Sequence, residues 1–471
     1  MSDQFNILLI TTDQQRFDTI QAAGNQYIYT PHLNWLMDSG ILFTNAYTDC
    51  PICMPARATI MTGKYGHTMN YTGNKGGIEV IDSECSLPGL LTKAGYQTRA
   101  QGKMHFWPNR KHYGFEQMEI LDDYYRYMAK HPEKGIPMDH GVGQNEMAVC
   151  INTIDESNSL THWTVDRSID FLETRDTTRL FFLWTSFAKP HSPFDPVMNY
   201  WQIYQNASMP EPIYGDWSEK FDDVPAGMLG ATSGSSLAWR YSKEQITNIR
   251  RAYYACITQI DYNLGLLFAR MRELDLLKNT MIIFTADHGD MLGDHWLSAK
   301  SVGLEGSAHI PMIIREPQPD WGEYPPMRGT ICDKLVCLAD ILPTALAAAG
   351  TSLPDNIDGI DMMSIANGEQ AHDYIIGDSD QYYYVRKGDY KYLYESISGS
   401  ELLFNIKDDK YEQENILNDE KFADILNDLK NILIAHAGGL KSKGISREDI
   451  LNKLNIWPGL HSRVRPDEVA H

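Results

Sequence analysis

The sequence predicts an α/β fold: a large, mostly parallel (mixed) sheet sandwiched by helices, with a small C-terminal α+β domain containing an antiparallel sheet. Three observations predict it. Short apolar runs alternate with helix-capping signals through the N-terminal two-thirds of the chain. Several of these runs end on a polar residue. From about Ile375 the pattern changes to short, Tyr-rich runs separated by Gly388-Asp389 and Ser398-Gly399. Alternating strands and helices require parallel strands covered on both faces. Short runs around tight-turn dipeptides are hairpins.

Phe5–Thr12 reads as a buried strand ending in Thr-Thr-Asp. Thr30-Pro31 opens a helix through Met37 that stops at Gly40, because Thr suits the cap, Pro the first turn and Gly the end. Leu87–Lys93 is a helix closed by Gly95, and Tyr96–Gln101 is the next strand. Leu180–Phe187 is an apolar, aromatic strand. Ser242 and Gln245 form a capping box before a helix reaching about Glu273. Met281–Ala286 is a strand that again runs into an Asp. Asp13, Lys103, His191 and Asp287 therefore all follow a predicted strand, and ligands of such sheets bind beyond the carboxyl ends of the strands.

The stretch from Asn206 to Arg240, rich in Gly, Ser and Pro, reads as a long surface loop, expected with Asn70–Glu79 to line a pocket. Tyr382–Val385, Tyr390–Tyr394 and Glu401–Asn405 are short strands, with a helix near Phe422–Ala435 packed on them. The expected division is a catalytic α/β domain at 1–370 and a smaller domain at 371–471.

Composition narrows the function. The 471 residues are 43% hydrophobic and carry a formal net charge of −21, which repels nucleic-acid phosphates and excludes that partner. No run approaches the ~20 apolar residues of a membrane helix, and the start at Met-Ser-Asp-Gln lacks the basic, then apolar, pattern of a signal peptide. The expectation is a cytoplasmic protein without a membrane partner. Seven scattered cysteines do not form a disulfide framework. Cys50 and Cys53 form a Cys-x-x-Cys pair without a second pair nearby to complete a zinc site.

Six segments carry the chemistry. Cys53-Met54-Pro55-Ala56-Arg57 leads into Ala58-Thr59-Ile60-Met61-Thr62-Gly63. Around it in the chain stand Asp13-Gln14, Gly102-Lys103-Met104-His105, Pro190-His191-Ser192-Pro193-Phe194, Thr285-Ala286-Asp287-His288-Gly289-Asp290, and Lys300 five residues before Glu305-Gly306-Ser307-Ala308-His309. In this order they resemble the type I sulfatase family of the alkaline phosphatase superfamily. Gln14 and His288, where many members carry Asp and Asn, resemble its choline-sulfatase and phosphonate-monoester-hydrolase branch. Ala56 departs from the Ser common in that family, while Cys53, Pro55 and Arg57 keep its pattern.

The resemblance implies hydrolysis of a sulfate monoester through a formylglycine made from Cys53, which requires a formylglycine-generating enzyme as a transient partner. It implies one divalent metal held by Asp13, Gln14, the residue at Cys53, Asp287 and His288. Hard oxygen donors suit Ca2+ first, with Mn2+ or Mg2+ as alternatives, and the nitrogen of His288 keeps Mn2+ open. It also implies catalytic roles for Cys53, Arg57, Lys103, His105, His191 and Lys300. Physics assigns them: a sulfate ester is an anion, so Arg57, Lys103 and Lys300 neutralise its oxygens, and His105 and His191 donate to those oxygens or to the leaving group. A hydrated aldehyde attacks sulfur through one hydroxyl and releases sulfate by collapse through the other, which a plain Ser or Cys cannot do.

The substrate expected is a small aryl, choline or carbohydrate sulfate. A phosphonate monoester or phosphodiester hydrolase with the same nucleophile is the alternative, and a non-catalytic or unmodified binding protein is the second. The sequence is compatible with a monomer or a homo-oligomer.

Overall fold

The structure, a computed structural model, describes residues 4–74, 80–230, 238–318 and 329–454. Eight strands form the main sheet: β1 (Asn6–Asp13), β2 (Ile41–Tyr47), β3 (Gln97–Gly102), β4 (Gln117–Ile120), β5 (Phe181–Pro190), β6 (Thr280–Ala286), β7 (Met312–Arg315) and β8 (Thr330–Cys337). Their order is β4-β3-β5-β1-β6-β7-β2-β8. Every neighbouring pair is parallel except the two that involve β7.

Position in the sheet explains composition. β1 is central and all eight of its residues are buried. Ile7 and Leu9 face one core with Trp184, Ile283 and the Cys53–Thr62 helix. Leu8 and Ile10 face the other core with Phe284, Leu264 and Phe268. The alternation follows from the two-residue period of a strand, and burial on both faces demands the continuous apolar run. The Lys243–Glu273 helix covers the second face and begins at the predicted capping box, with Ser242 accepting from Gln245 N.

The small sheet comprises β9 (Ile375–Ser379), β10 (Tyr382–Lys387), β11 (Tyr390–Glu395) and β12 (Glu401–Asn405), all antiparallel, with the Ala423–Ala437 helix against it. These strands fall within 371–471. One face of this sheet shares a core with earlier residues: Tyr384, Leu393 and Phe404 pack with Tyr47, Leu304 and Ala308.

Local differences from the sequence reading have physical causes. β9 was not legible, because Gly377 and Asp378 follow its two isoleucines and end the apolar run after two residues. Thr30 precedes its helix as expected but makes no capping bond; its hydroxyl instead accepts from Gln21 N. The 206–240 stretch contains short helical pieces at Phe221–Asp223, Ala226–Leu229 and Ala238–Arg240, and its Trp217, Phe221 and Trp239 are buried against the small sheet.

Candidate active site

The strand pairing assembles the first part of the site. Thr12 of β1 registers with Ala286 of β6, so the next residues, Asp13 and Asp287, end side by side. Both are fully buried. Gln14 then takes a left-handed φ of 74°, turning the chain sharply, and its backbone N–H donates to Asp287 Oδ1 at 3.1 Å.

Cys53 is the first residue of its helix, at the positive end of the helix dipole. Its Sγ lies 3.2 Å from His288 Nε2, 3.4 Å from Lys300 Nζ and 3.8 Å from Asp13 Oδ1. His105 also hydrogen-bonds toward this sulfur, and His191 lies within reach of it. Burial alone would raise the thiol, but Lys300, His288 and Lys103 together hold it well below the ordinary cysteine range.

Arg57 is one helical turn from Cys53, on the same face. The expectation that it contacts substrate oxygens is not met by its placement. It is completely buried behind the two carboxylates, donating to Asp287 Oδ2 at 3.0 Å, Asp13 Oδ2 at 3.4 Å, Ser186 Oγ at 2.8 Å and Lys103 O at 2.5 Å. The guanidinium fork is spent on fixing the carboxylates.

Lys103 follows β3 and pairs with Asp13 Oδ2. Lys300 donates to Gln14 Oε1 at 2.6 Å, and the Gln14 amide nitrogen donates to Asp290. The Gln14 carbonyl thus accepts from Lys300 with one of its two lone pairs. His191 Nδ1 sits 2.7 Å from Ser192 O; a carbonyl only accepts, so Nδ1 carries the proton and Nε2 is left as an acceptor. Burial, then Lys300 and Lys103, push His191 down to about 4.

The donor set fits a cation. One ligand atom from each of Asp13, Cys53, Asp287 and His288 lies within 4.8 Å of all the others. Arg57 and Lys103 take the Oδ2 oxygens of the aspartates, which leaves Oδ1 of each facing His288 Nε2, at 3.8 and 3.6 Å. Burial and the charge of Asp13 raise Asp287, the signature of two carboxylates that share a site and call for a cation. His288 Nδ1 donates to Gly289 O at 3.0 Å, which aims Nε2 inward, where a bound cation would take its lone pair in place of a proton.

Asp290 and Asp294, two further carboxylates just past Asp287, are both buried. Asp290 accepts from Leu292 N and Ala299 N, and Asp294 pairs with Arg250 and Arg16. Sequence reasoning missed Ser186 and Arg16. Ser186 Oγ bridges Arg57 and Lys103 O, and Arg16 donates to Asp290 O at 2.9 Å. Arg16, three residues past Asp13 where the first strand ends, was the available signal. Among the described residues a second group, Cys337, Asp340 and His372, also brings ligand atoms within 4.8 Å. Asp340 already accepts from Cys337 N, Ile360 N and His372 there, which makes it a clamp on the end of β8.

A cavity of about 440 Å³ adjoins Lys103, His105 and His191, walled by Phe106, Trp107 and Tyr125. No described residue of 70–79 or 206–240 lines it, contrary to expectation, and residues 75–79 and 231–237 lie outside the described structure.

Comparison with known proteins agrees with this geometry. The Sulfatase family profile matches residues 5–351. An arylsulfatase of Clostridium perfringens is 33% identical over 464 residues, covering 92% of this chain and 94% of the relative. A choline-sulfatase of Rhizobium meliloti is 27% identical, covering 87% and 82%. Among solved structures, a phosphonate monoester hydrolase of Agrobacterium radiobacter superposes with a TM-score of 0.78 at 23% identity, covering 92% of this chain and 96% of that one. A second, solved with its substrate D-glucosamine-2-N,6-O-disulfate, gives 0.74 at 21% identity, covering 93% and 98%. The chain belongs to the sulfatase family and is an enzyme that hydrolyses sulfate esters.

Proposed function

We propose that the protein hydrolyses a small sulfate monoester, an aryl, choline or carbohydrate sulfate, using formylglycine formed from Cys53 and one divalent cation. The observation that carries this is the convergence on Cys53 Sγ of Asp13, His288 and Lys300, with Lys103, His105 and His191 at the mouth of the cavity. Asp13, Asp287, His288 and the oxygen at position 53 would hold the cation, with Gln14 joining through its side-chain carbonyl. Ca2+ is the first choice, and Mn2+ or Mg2+ are the alternatives. The cation supplies Lewis-acid polarisation, and the aldehyde hydrate supplies a nucleophilic hydroxyl where the thiol now sits.

The chain's own groups do the rest. Lys103 and Lys300 bring positive charge to the position of the sulfate oxygens. Neutral His191, with Nε2 as acceptor, takes a proton from a hydroxyl at position 53. His105 and Lys300 are the donors available to the leaving oxygen. Arg57 holds Asp13 and Asp287 in place and touches no substrate. The Phe106, Trp107 and Tyr125 wall supports a flat aryl leaving group, and the arylsulfatase relative supports the same class.

The test is initial-rate assay of protein made with a formylglycine-generating enzyme, on p-nitrophenyl sulfate, choline sulfate and p-nitrophenyl phenylphosphonate. Sulfate ester hydrolysis that exceeds phosphonate hydrolysis and vanishes in Cys53→Ala is expected. Dominant phosphonate turnover overturns the substrate reading.

A further inference from the structure

The catalytic residues all lie before residue 310, yet the small sheet reaches one of them. Lys300 is flanked by Ala299 at φ 60° and Ser301 at φ 83°, left-handed conformations that residues with a Cβ rarely adopt. A backbone bent twice in this way needs outside support. Three bonds come from the main domain: Ala299 N donates to Asp290 Oδ1 at 3.0 Å, Ser301 N to Pro51 O at 3.1 Å, and Met291 N to Ala299 O at 2.8 Å.

The small sheet and the loop that follows it add supports at three points along 301–305. Ser379 of β9 donates its hydroxyl to Ser301 O. Tyr384 in β10 packs directly against Gly303, where an added Cβ would stand 2.7 Å from the Tyr384 Cβ. Glu305 is clamped from two sides: its side chain meets Lys391 Nζ of β11 at 2.6 Å, and its backbone N–H donates to Glu412 Oε2 at 2.7 Å. Lys391 is wholly buried between Glu305 and Glu412, a placement too costly to persist without both partners. The same Glu305 carboxylate accepts from Tyr47 OH at 3.0 Å and pairs with His309 at 2.6 Å.

We propose that the small C-terminal sheet is a positioning element for Lys300: Ser379, the Gly303–Tyr384 contact and the Glu305–Lys391–Glu412 clamp set where its ammonium group stands over position 53. Ser379 and Lys391 are positioning residues that touch neither substrate nor the nucleophile. The inference rests on the proposed role of Lys300 as a sulfate-oxygen contact.

A double-mutant cycle in the full-length, modified enzyme tests it. Gly303→Ala and Ser379→Ala are each made in the wild type and in Lys300→Ala. Two quantities are read: kcat/KM on p-nitrophenyl sulfate and the calorimetric Kd for inorganic sulfate. Gly303→Ala should weaken both by about tenfold and Ser379→Ala by about threefold, and each loss should shrink below about twofold once Lys300 is gone. A general structural effect multiplies equally in both backgrounds, and equal factors overturn the proposal. If Gly303→Ala does not fold, Ser379→Ala decides, and no effect of it in the wild type overturns the proposal. Wild type that binds sulfate in a Lys300-dependent way without hydrolysing sulfate esters sinks the proposed function and leaves this inference standing. Wild type that does neither overturns both.

Discussion

Arg57→Met tests whether the guanidinium serves the carboxylates or the substrate. Arg57 has no exposed surface and four partners, two of them the buried carboxylates of Asp13 and Asp287. Deleting it leaves two like charges buried side by side, with Lys103 on Asp13 and only the backbone N–H groups of Gln14 and His288 on Asp287. Removing one partner of a buried pair costs about 3–5 kcal/mol. Unfolding entropy near 2.1 cal/mol/K per residue gives about 1 kcal/mol/K for a chain of this length, so the melting temperature should fall by about 3–5 °C. Differential scanning calorimetry on chelator-treated protein reads this directly. Arg57→Lys keeps a charge without the fork, and should lower kcat with KM within about twofold, once rates are normalised to the modified fraction. A melting temperature within about 1 °C of wild type for Arg57→Met, or a KM raised about tenfold at unchanged kcat for Arg57→Lys, would refute the reasoning.

Other perturbations have equally definite outcomes. His191 is depressed to about 4, below its unfolded value, so its contribution to stability is complete above about pH 6.5 and is lost as pH falls toward 4; His191→Gln should flatten that part of the stability–pH curve measured by urea titration. Stripping the divalent cation should lower the melting temperature, and restoring it at a hundredfold over its Kd should return about 2.7 kcal/mol; Asp287→Asn should abolish that response. Lys103→Ala removes a cation from the cavity mouth and should cut kcat/KM about a hundredfold, with hydrolysis of p-nitrophenyl sulfate as the assay.

Much of this was legible because local patterns carried it. Continuous apolar runs ending on Asp13 and Asp287 read as central strands, and the sheet register brings those aspartates together. The Ser242–Gln245 capping box located the start of the long helix. The sequence order of Cys53, Lys103, His191 and Lys300 also pointed to one site. What the chain did not disclose depends on contacts far apart in sequence. Arg57 looks the same as a substrate cation or a buried clamp until both aspartates and Ser186 are placed around it. The 206–240 stretch has no periodicity because its buried Trp217 and Trp239 are spaced by the surface of the small sheet and not by its own backbone. Nothing in the Tyr-rich strand Tyr390–Tyr394 marks Lys391 for complete burial, which only Glu305 and Glu412 explain.

The central claim is that Cys53 is the precursor of the nucleophile, and the mass of the tryptic peptide that contains it tests this most directly. Protein co-expressed with an active formylglycine-generating enzyme should yield that peptide with hydrogen sulfide exchanged for oxygen, together with its hydrate, in proportion to sulfatase activity. Unmodified cysteine in protein that still hydrolyses sulfate esters would contradict the account.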